Sequence, residues 1–282
     1  MMNFSHSPSQ GFPVRLSDAR GEEIVLSEKP HRIVSLVPSQ TELLADLGLD
    51  EEVVGVTRFC VHPPDWKKRK TIVGGTKQVH IEKVRALQPD LVLANKEENT
   101  REDIEQIATF APVYVTDVHT LEDACAMMQA VGTLTGTKEA AEGLIREIKQ
   151  RFAELPSFTP LRTLYLIWRK PFMTVGGDTF IHDILQRAGL MNVAGHTTRY
   201  PIVEPERMRQ WDPQVVLLSS EPYPFKEKHL PEIRAILPHA SIFFVDGELF
   251  SWYGSRLRFT PPYLRTLRNR IESHVSSSPH VR

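Results

Sequence analysis

The chain has 282 residues, which is enough for two compact lobes or one large domain. Hydrophobic residues make up 41% and charged residues 24%, as is typical of a soluble globular protein with a core of useful size. Lys and Arg total 34 and Asp and Glu total 35, for a net charge of −1. Such a chain has no basic field for a phosphate backbone, which argues against nucleic acid as its main partner.

The N-terminal residues 1–8 contain neither the basic segment nor the apolar segment of a secretory signal. We therefore expect either a cytoplasmic protein or one from which an export segment has been removed. No apolar run approaches the length of a membrane span, so no direct membrane insertion is expected. The two cysteines, Cys60 and Cys125, are compatible with a bridge but do not suggest a disulfide framework.

Short apolar strands and helices alternate through the first half of the chain, which predicts a parallel α/β sheet with right-handed crossovers. A hairpin that turns near Gly21 comes first. Ser39 and Glu42 form a capping-box pattern at the start of the first helix, and Gly48 ends that helix. The predicted elements are Val14–Leu16, Glu23–Leu26, Arg32–Val37, Val53–Thr57, Thr71–Val73, Leu91–Ala94 and Val113–Thr116 as strands, with Ile81–Leu87 and Arg101–Phe110 as helices.

Two helices then follow each other directly: Leu121–Thr135, capped by Thr120, and Lys138–Leu155, capped by Thr137. The second carries apolar residues at i, i+3 and i+4 spacing and ends at Pro156. A second α/β series comes next, with strands Thr163–Trp168, Val215–Ser219 and Ile242–Val245 and helices Phe180–Ala188, Pro205–Gln210, Leu230–Ile236 and Pro262–Ser273.

The predicted fold class is α/β, with two Rossmann-like α/β lobes joined by a single long connecting helix. The predicted boundaries are an N-terminal extension and hairpin (1–30), an N-terminal lobe (31–136), the connecting helix (137–156), a C-terminal lobe (157–275) and a frayed tail (276–282). A helix in place of a flexible linker makes large hinge closure an unfavoured motion.

The two lobes contain similar segments, which indicates an internal repeat. Ile81–Leu93 aligns with Pro205–Leu217, so that Glu82 matches Glu206 at a separation of 124 residues. Helix–Pro–strand connections look alike in many α/β proteins, but a two-lobed chain favours duplication over coincidence.

Four segments resemble a known family: Arg32–Leu43, Val54–Thr57, Ile81–Ala94 and Pro171–Gly177. The chain resembles, from about Pro13 to Ser273, the helical-backbone (class III) periplasmic binding proteins, above all the cobalamin-binding branch. The resemblance implies a monomer without an intrinsic cofactor and without catalytic residues. It also implies a periplasmic location, a metal chelate bound between the lobes, and an ABC transporter permease as partner.

Aromatic residues are frequent in loops that follow the predicted strands, where ligands of open α/β sheets bind. These residues are Phe59, Trp168, Tyr200, Trp252 and Tyr253. A flat macrocycle favours rigid aromatic walls, although each ring could instead pack in a core, most plausibly Trp168. The resemblance implies aromatic ligand contacts at Phe59 and Tyr200. A third family aromatic aligns near Thr76, where this chain has no ring.

The same loops contain polar candidates. Arg58, Lys77, Arg169 and Arg256 could pair with carboxylates or phosphates of a ligand, or form ordinary salt bridges. Cys60, His62 and His80 are candidate metal ligands, since Cys and His bind metals, but their spacing matches no closed zinc site. A solitary histidine in a loop is more often a solvated or capping residue.

Glu82 and Glu206 each open a short helix, where the helix dipole favours a carboxylate. The resemblance implies that this pair docks with arginines of the permease. The predicted function is a solute-binding protein of an ABC-type importer, whose ligand is cobalamin, haem or a ferric siderophore. The alternatives are an intracellular chelate carrier of the same fold, or an enzyme that uses His62 or His80 as an acid–base group.

Overall fold

The computed structural model describes the backbone of residues 11–277. The chain divides into two compact units. Unit 1 comprises Met1–Asp117, Glu122–Glu147 and Tyr253–Ser255, and unit 2 comprises Val118–Leu121, Ile148–Trp252 and Arg256–Arg282. The main division falls inside one helix, Lys138–Ala153. The predicted α/β class is confirmed.

Unit 1 contains a β-hairpin followed by a five-stranded parallel sheet in the order β5-β4-β3-β6-β7. The central strands β3 and β6 are buried along their whole length, which explains their unbroken apolar sequence. The elements are β1 (Val14–Ser17), β2 (Glu23–Leu26), β3 (Ile33–Ser35), α1 (Pro38–Asp46), β4 (Val53–Val56), α2 (Trp66–Arg69), β5 (Thr71–Ile72), α3 (Ile81–Ala86), β6 (Leu91–Asn95), α4 (Arg101–Ala108), β7 (Val113–Thr116) and α5 (Leu121–Leu134).

The turn of the hairpin covers the edge strand β7. The Ala19 N–H donates to the Val115 carbonyl (2.9 Å) and the Arg20 guanidinium donates to the Val113 carbonyl (2.8 Å). The Val115 N–H in turn donates to the Asp18 carboxylate (3.1 Å). Since an open edge strand invites pairing with other chains, the hairpin protects the sheet from that contact.

Unit 2 contains a four-stranded parallel sheet in the order β11-β10-β8-β9. This order matches β7-β6-β3-β4 of unit 1, and only β5 lacks a counterpart, which supports the internal repeat. Helix α6 (Lys138–Ala153) belongs to unit 1 up to Glu147 and to unit 2 from Ile148. The elements that follow are β8 (Leu161–Leu166), α7 (Phe180–Arg187), β9 (Leu190–Asn192), α8 (Pro205–Trp211), β10 (Val215–Ser219), α9 (Leu230–Ile236), β11 (Ser241–Val245), α10 (Glu248–Ser251) and α11 (Thr260–Ser277), with 3-10 turns at Glu227–His229 and Ser255–Arg258.

Several sequence-based boundaries need correction. The predicted capping box is wrong, because Val37 is the N-cap of α1, Pro38 is its first residue and Ser39 lies inside it. Strand β8 ends at Leu166, so Trp168 lies in the following loop. Strand β9 was not predicted, since it has only three residues. Helix α11 extends to Ser277, into the predicted tail, and residues 278–282 lie outside the described part.

Two further expectations concern the membrane and the cysteines. Within residues 11–277, none of the helices has both the length and the apolar content needed to cross a bilayer. Cys60 and Cys125 are both buried and unbridged.

Candidate functional site

In unit 1, the loops that follow β4 and β5 bring together a cation and an exposed ring. Phe59 is 54% exposed, and the Arg58 guanidinium lies 6.0 Å from the centroid of its ring. The ring lies close to Gly75, where an added Cβ would approach a ring carbon to 3.2 Å. Lys77 is exposed two residues further on, and its ammonium donates to the Glu97 carbonyl. Arg58, Phe59 and Lys77 therefore all lie on the loops at the carboxyl end of this sheet.

Two asparagines that were not predicted fix neighbouring segments: Asn99 the loop after β5, and Asn95 the end of β7. The Asn99 amide donates to the carbonyls of Thr76 (3.0 Å) and Leu36 (3.4 Å). The Asn95 amide donates to the Thr116 carbonyl at 3.1 Å. Both asparagines are buried, and their side chains occupy backbone groups that the strand ends leave unpaired. A polar residue that directly follows an apolar strand was the available signal.

In unit 2, a strip of apolar side chains lies beyond the carboxyl end of β8. Trp168 forms an antiparallel bridge with Met173, and Met173 forms another with Ile202. Residues paired directly across such bridges project on the same face. Trp168 is 39% exposed and Ile202 is 59% exposed, and the Tyr223 ring meets the Trp168 ring edge-on at 5.6 Å. We call Trp168, Met173, Ile202 and Tyr223 the unit 2 aromatic face.

Tyr200 is half-buried in the segment that supplies Ile202. This segment is fixed to the loop after β8, because the Thr174 N–H donates to the Pro201 carbonyl and the Gly176 N–H donates to the Arg199 carbonyl. Tyr200 was among the residues predicted from the sequence, whereas Ile202 and Tyr223 were not.

Trp252 and Tyr253 lie in the connection between α10 and the 3-10 turn Ser255–Arg258. Both side chains are buried. The Trp252 indole N–H donates to the Glu221 carboxylate at 3.0 Å. Arg256 forms an ion pair with Glu248 at 3.2 Å, and its guanidinium lies 5.1 Å from the centroid of the Trp252 ring. Trp252 and Tyr253 are thus packed inside the protein and Arg256 is ion-paired, and ligand contact by these three residues stays a prediction.

Arg169 also forms a salt bridge. Its Nε lies 2.5 Å from the Glu232 carboxylate, and this hydrogen bond raises the pKa of the Arg169 guanidinium. About a fifth of its side chain remains accessible (22%), so the charge is partly available at the surface.

The three candidate metal ligands do not form a site. The Cys60 thiol is fully buried between the hydroxyls of Thr41 (3.1 Å) and Thr57 (3.2 Å), and burial raises its pKa. His62 is half-buried and His80 is exposed at the N-cap of α3. Across the described residues, no group of three or more His, Cys, Asp or Glu side chains could hold a metal ion.

Glu82 and Glu206 occupy matched surface positions on the two units. The Glu82 side chain is 83% exposed and that of Glu206 is 75% exposed. Each is paired with the arginine three residues later, Arg85 at 3.7 Å and Arg209 at 3.0 Å. Hydrogen bonds from its own backbone N–H and from Arg209 lower the pKa of Glu206.

The chain has two parallel α/β units of matched topology, each with an exposed aromatic residue beyond its strand ends. These features are typical of a two-lobed solute-binding protein. The chain belongs to the periplasmic binding protein family, which matches residues 33–234.

Individual relatives agree with this assignment. The chain is 28% identical over 261 residues to an uncharacterized ABC transporter substrate-binding lipoprotein, YvrC of Bacillus subtilis, which covers 87% of this chain and 82% of the relative. It is 28% identical over 201 residues to the vitamin B12-binding protein of Pectobacterium atrosepticum, with coverage of 67% and 72%. The periplasmic vitamin B12 binding protein BtuF of Vibrio cholerae has a similar fold, with a TM-score of 0.75 at 20% identity over 86% of this chain and 98% of that protein.

Proposed function

We propose that this chain is the solute-binding protein of an ABC-type importer and that its ligand is a metal chelate, cobalamin before haem or a ferric siderophore. One observation carries the proposal. Each unit presents an exposed aromatic ring beyond the carboxyl end of its parallel sheet, Phe59 in unit 1 and Trp168 in unit 2. Rigid rings of this kind bind the flat faces of macrocycles with little loss of conformational entropy.

We assign direct ligand contact to the side chains that the fold leaves accessible. These are Arg58, Phe59 and Lys77 in unit 1, and Trp168, Tyr200 and Ile202 in unit 2. Arg58 and Lys77 suit acidic groups at the edge of a chelate. Trp252 and Tyr253 are buried, and Arg256 and Arg169 are ion-paired with Glu248 and Glu232, so we do not assign direct ligand contact to them.

Delivery to a permease is the second part of the proposal. Glu82 and Glu206 are exposed on separate units and are available to arginines of a partner. The relatives named above are periplasmic or lipoprotein binding components, which favours the outer side of the cytoplasmic membrane over an intracellular carrier. We propose binding without turnover by a monomer, in keeping with a family and relatives that are substrate-binding proteins.

The test is titration calorimetry with cyanocobalamin, haem and a ferric siderophore. We expect micromolar or tighter binding of one of them, with Phe59→Ala and Trp168→Ala each weakening it by roughly tenfold or more, as for central aromatic contacts. Phe259→Ala is the matched control, since this ring is 46% exposed but lies at the start of α11. Absence of heat with all three chelates, or turnover of any of them, would contradict the proposal.

A further inference from the structure

A buried histidine lies behind the unit 2 aromatic face. His229 closes a 3-10 turn before α9, and its side chain is buried. Its Nδ1 lies 2.9 Å from the Lys226 backbone nitrogen, and its Nε2 lies 3.2 Å from the Tyr223 hydroxyl. A backbone N–H can only donate, so Nδ1 is the acceptor and Nε2 carries the proton. The imidazole is therefore neutral in this arrangement and donates to Tyr223.

Tyr223 connects this histidine to the exposed indole of Trp168. Its ring meets Trp168 at 5.6 Å with an interplanar angle of 62°, and meets Phe225 at 5.0 Å with an angle of 71°. The His229 ring itself lies 5.9 Å from Phe225, nearly perpendicular. Edge-to-face contacts such as these depend on ring orientation. Tyr223 thus links the Trp168 ring to His229, and its hydroxyl is also hydrogen-bonded by Arg169.

The charges around His229 oppose its protonation. Lys226 and Lys228 lie on its own turn, and Arg169 comes from the loop after β8. Glu227 lies on the same turn as His229, and Glu232 on α9, which favours protonation, is already paired with Arg169 at 2.5 Å. Burial, together with Arg169 and Lys228, lowers the pKa of His229 below its ordinary value. A proton added to Nδ1 would point at the Lys226 N–H and break that hydrogen bond.

We propose that neutral His229 is a positioning residue for the unit 2 aromatic face. Protonation at Nδ1 breaks the hydrogen bond from the Lys226 N–H and so displaces the imidazole that holds Tyr223, and the resulting shift of Tyr223 and Trp168 weakens ligand binding. The inference rests on the proposed function in one respect, namely that Trp168 contacts the ligand. Because the pKa of His229 lies below the ordinary histidine value of about 6.5, we expect tight binding of the chelate at neutral pH and weaker binding only in the acidic range below that value.

The first experiment needs no ligand. Iodide quenching of Trp168 is measured between pH 8 and pH 5 as the difference between the wild-type protein and Trp168→Phe. We expect a sigmoidal change in the wild type and none in His229→Asn, whose amide oxygen can accept the Lys226 N–H but does not titrate. An identical transition in His229→Asn, or no transition in the wild type, would overturn the proposal.

The second experiment measures the dissociation constant for cyanocobalamin at pH 7.5 and pH 5. We expect the wild type to bind roughly tenfold more weakly at pH 5, the effect of losing one hydrogen-bonded contact, and His229→Asn to bind equally at both pH values. Equal wild-type affinity at both would refute the coupling. If cyanocobalamin does not bind even at pH 7.5, cobalamin as the proposed ligand fails, while the quenching experiment still decides the role of His229.

Tyr223→Phe separates the ring from its hydrogen bond. This variant keeps the ring contacts with Trp168 and Phe225 but loses the hydroxyl that His229 binds. We expect iodide quenching of Trp168 to change with pH much less than in the wild type. An undiminished transition would place the titrating group elsewhere and contradict the proposal.

Discussion

Burial determines whether the thiol of Cys60 can react or bind a metal. The spacing Cys60-Val61-His62 would place two metal ligands on one side of an extended segment. The fold instead turns the thiol inward, where two threonine hydroxyls contact it and desolvation raises its pKa. A thiol that remains protonated is a poor nucleophile and a poor metal ligand.

Cys60 should therefore be unreactive in the native protein. In Cys125→Ala, where it is the remaining cysteine, we expect reaction with a disulfide reagent at pH 8 to be on the order of a hundredfold slower than in denaturant, because the thiolate forms only after local opening. The measurement is the absorbance of the released thiolate with time. Rapid native labelling would show that the loop after β4 opens readily and would restore Cys60 as a surface group.

Individual residues of the candidate site differ in how far their positions could be predicted from the sequence. Phe59 and Trp168 were identified because loops after buried strands carry ligands in open α/β sheets. The burial of Trp252 could not be predicted, because its partner Glu221 lies 31 residues earlier and only the fold brings them together. The role of His229 depends on tautomer and contact geometry, which no residue pattern encodes.

At the scale of elements, each unit repeats one anchoring arrangement. The Arg32 backbone N–H donates to the Asp90 carboxylate and its guanidinium donates to the Leu87 carbonyl. In unit 2 the same two bonds run from Arg162, to Gln214 and to Asp212.

A backbone conformation also repeats in the two units, at the residue that precedes Pro89 in unit 1 and Pro213 in unit 2. Gln88 and Asp212 have left-handed backbone conformations, with φ of 45° and 44°. The buried parallel strands and these helix–Pro–strand turns follow from sequence patterns, whereas the order of the strands in each sheet came only from the structure. The cap of α1 and the short strand β9 do not follow from such patterns, since tertiary packing decides them.

Two glycines in neighbouring helices should respond oppositely to substitution. Gly143 lies inside α6, and an added Cβ would meet nothing closer than an Arg146 guanidinium nitrogen at 3.8 Å. Gly143→Ala should raise the free energy of unfolding by about 0.5–1 kcal/mol, because alanine loses less backbone entropy.

Gly132 of α5 is the matched control for Gly143. A Cβ added there would lie 2.5 Å from the Cβ of Ala141, so Gly132→Ala should cost about 1–3 kcal/mol through overpacking. Urea unfolding of both variants checks the two signs. Stabilisation by both changes would mean that α5 and α6 pack less tightly at this point than the structure shows.

At the scale of the whole molecule, the balance of charge matters less than its placement. The net charge is only −1, so no overall field steers the protein towards a partner. Local pairs remain effective, because charges separated by less than the Debye length, about 8 Å at physiological ionic strength, are incompletely screened. Glu82 and Glu206 are therefore suited to a contact that forms only when both units meet the same partner.

The double variant Glu82→Ala with Glu206→Ala tests this docking proposal. We expect unchanged chelate affinity, since neither glutamate is among the proposed ligand contacts, but slower capture by the permease in proteoliposomes and a smaller effect of salt on that rate. The single variants should lie between the double variant and the wild type. Glu105→Ala is the control, because Glu105 is also an exposed glutamate paired with an arginine on its own helix, Arg101. Unchanged capture, together with a lower unfolding midpoint of the double variant, would make Glu82 and Glu206 structural residues of α3 and α8. Other residues would then have to form the contact with the permease.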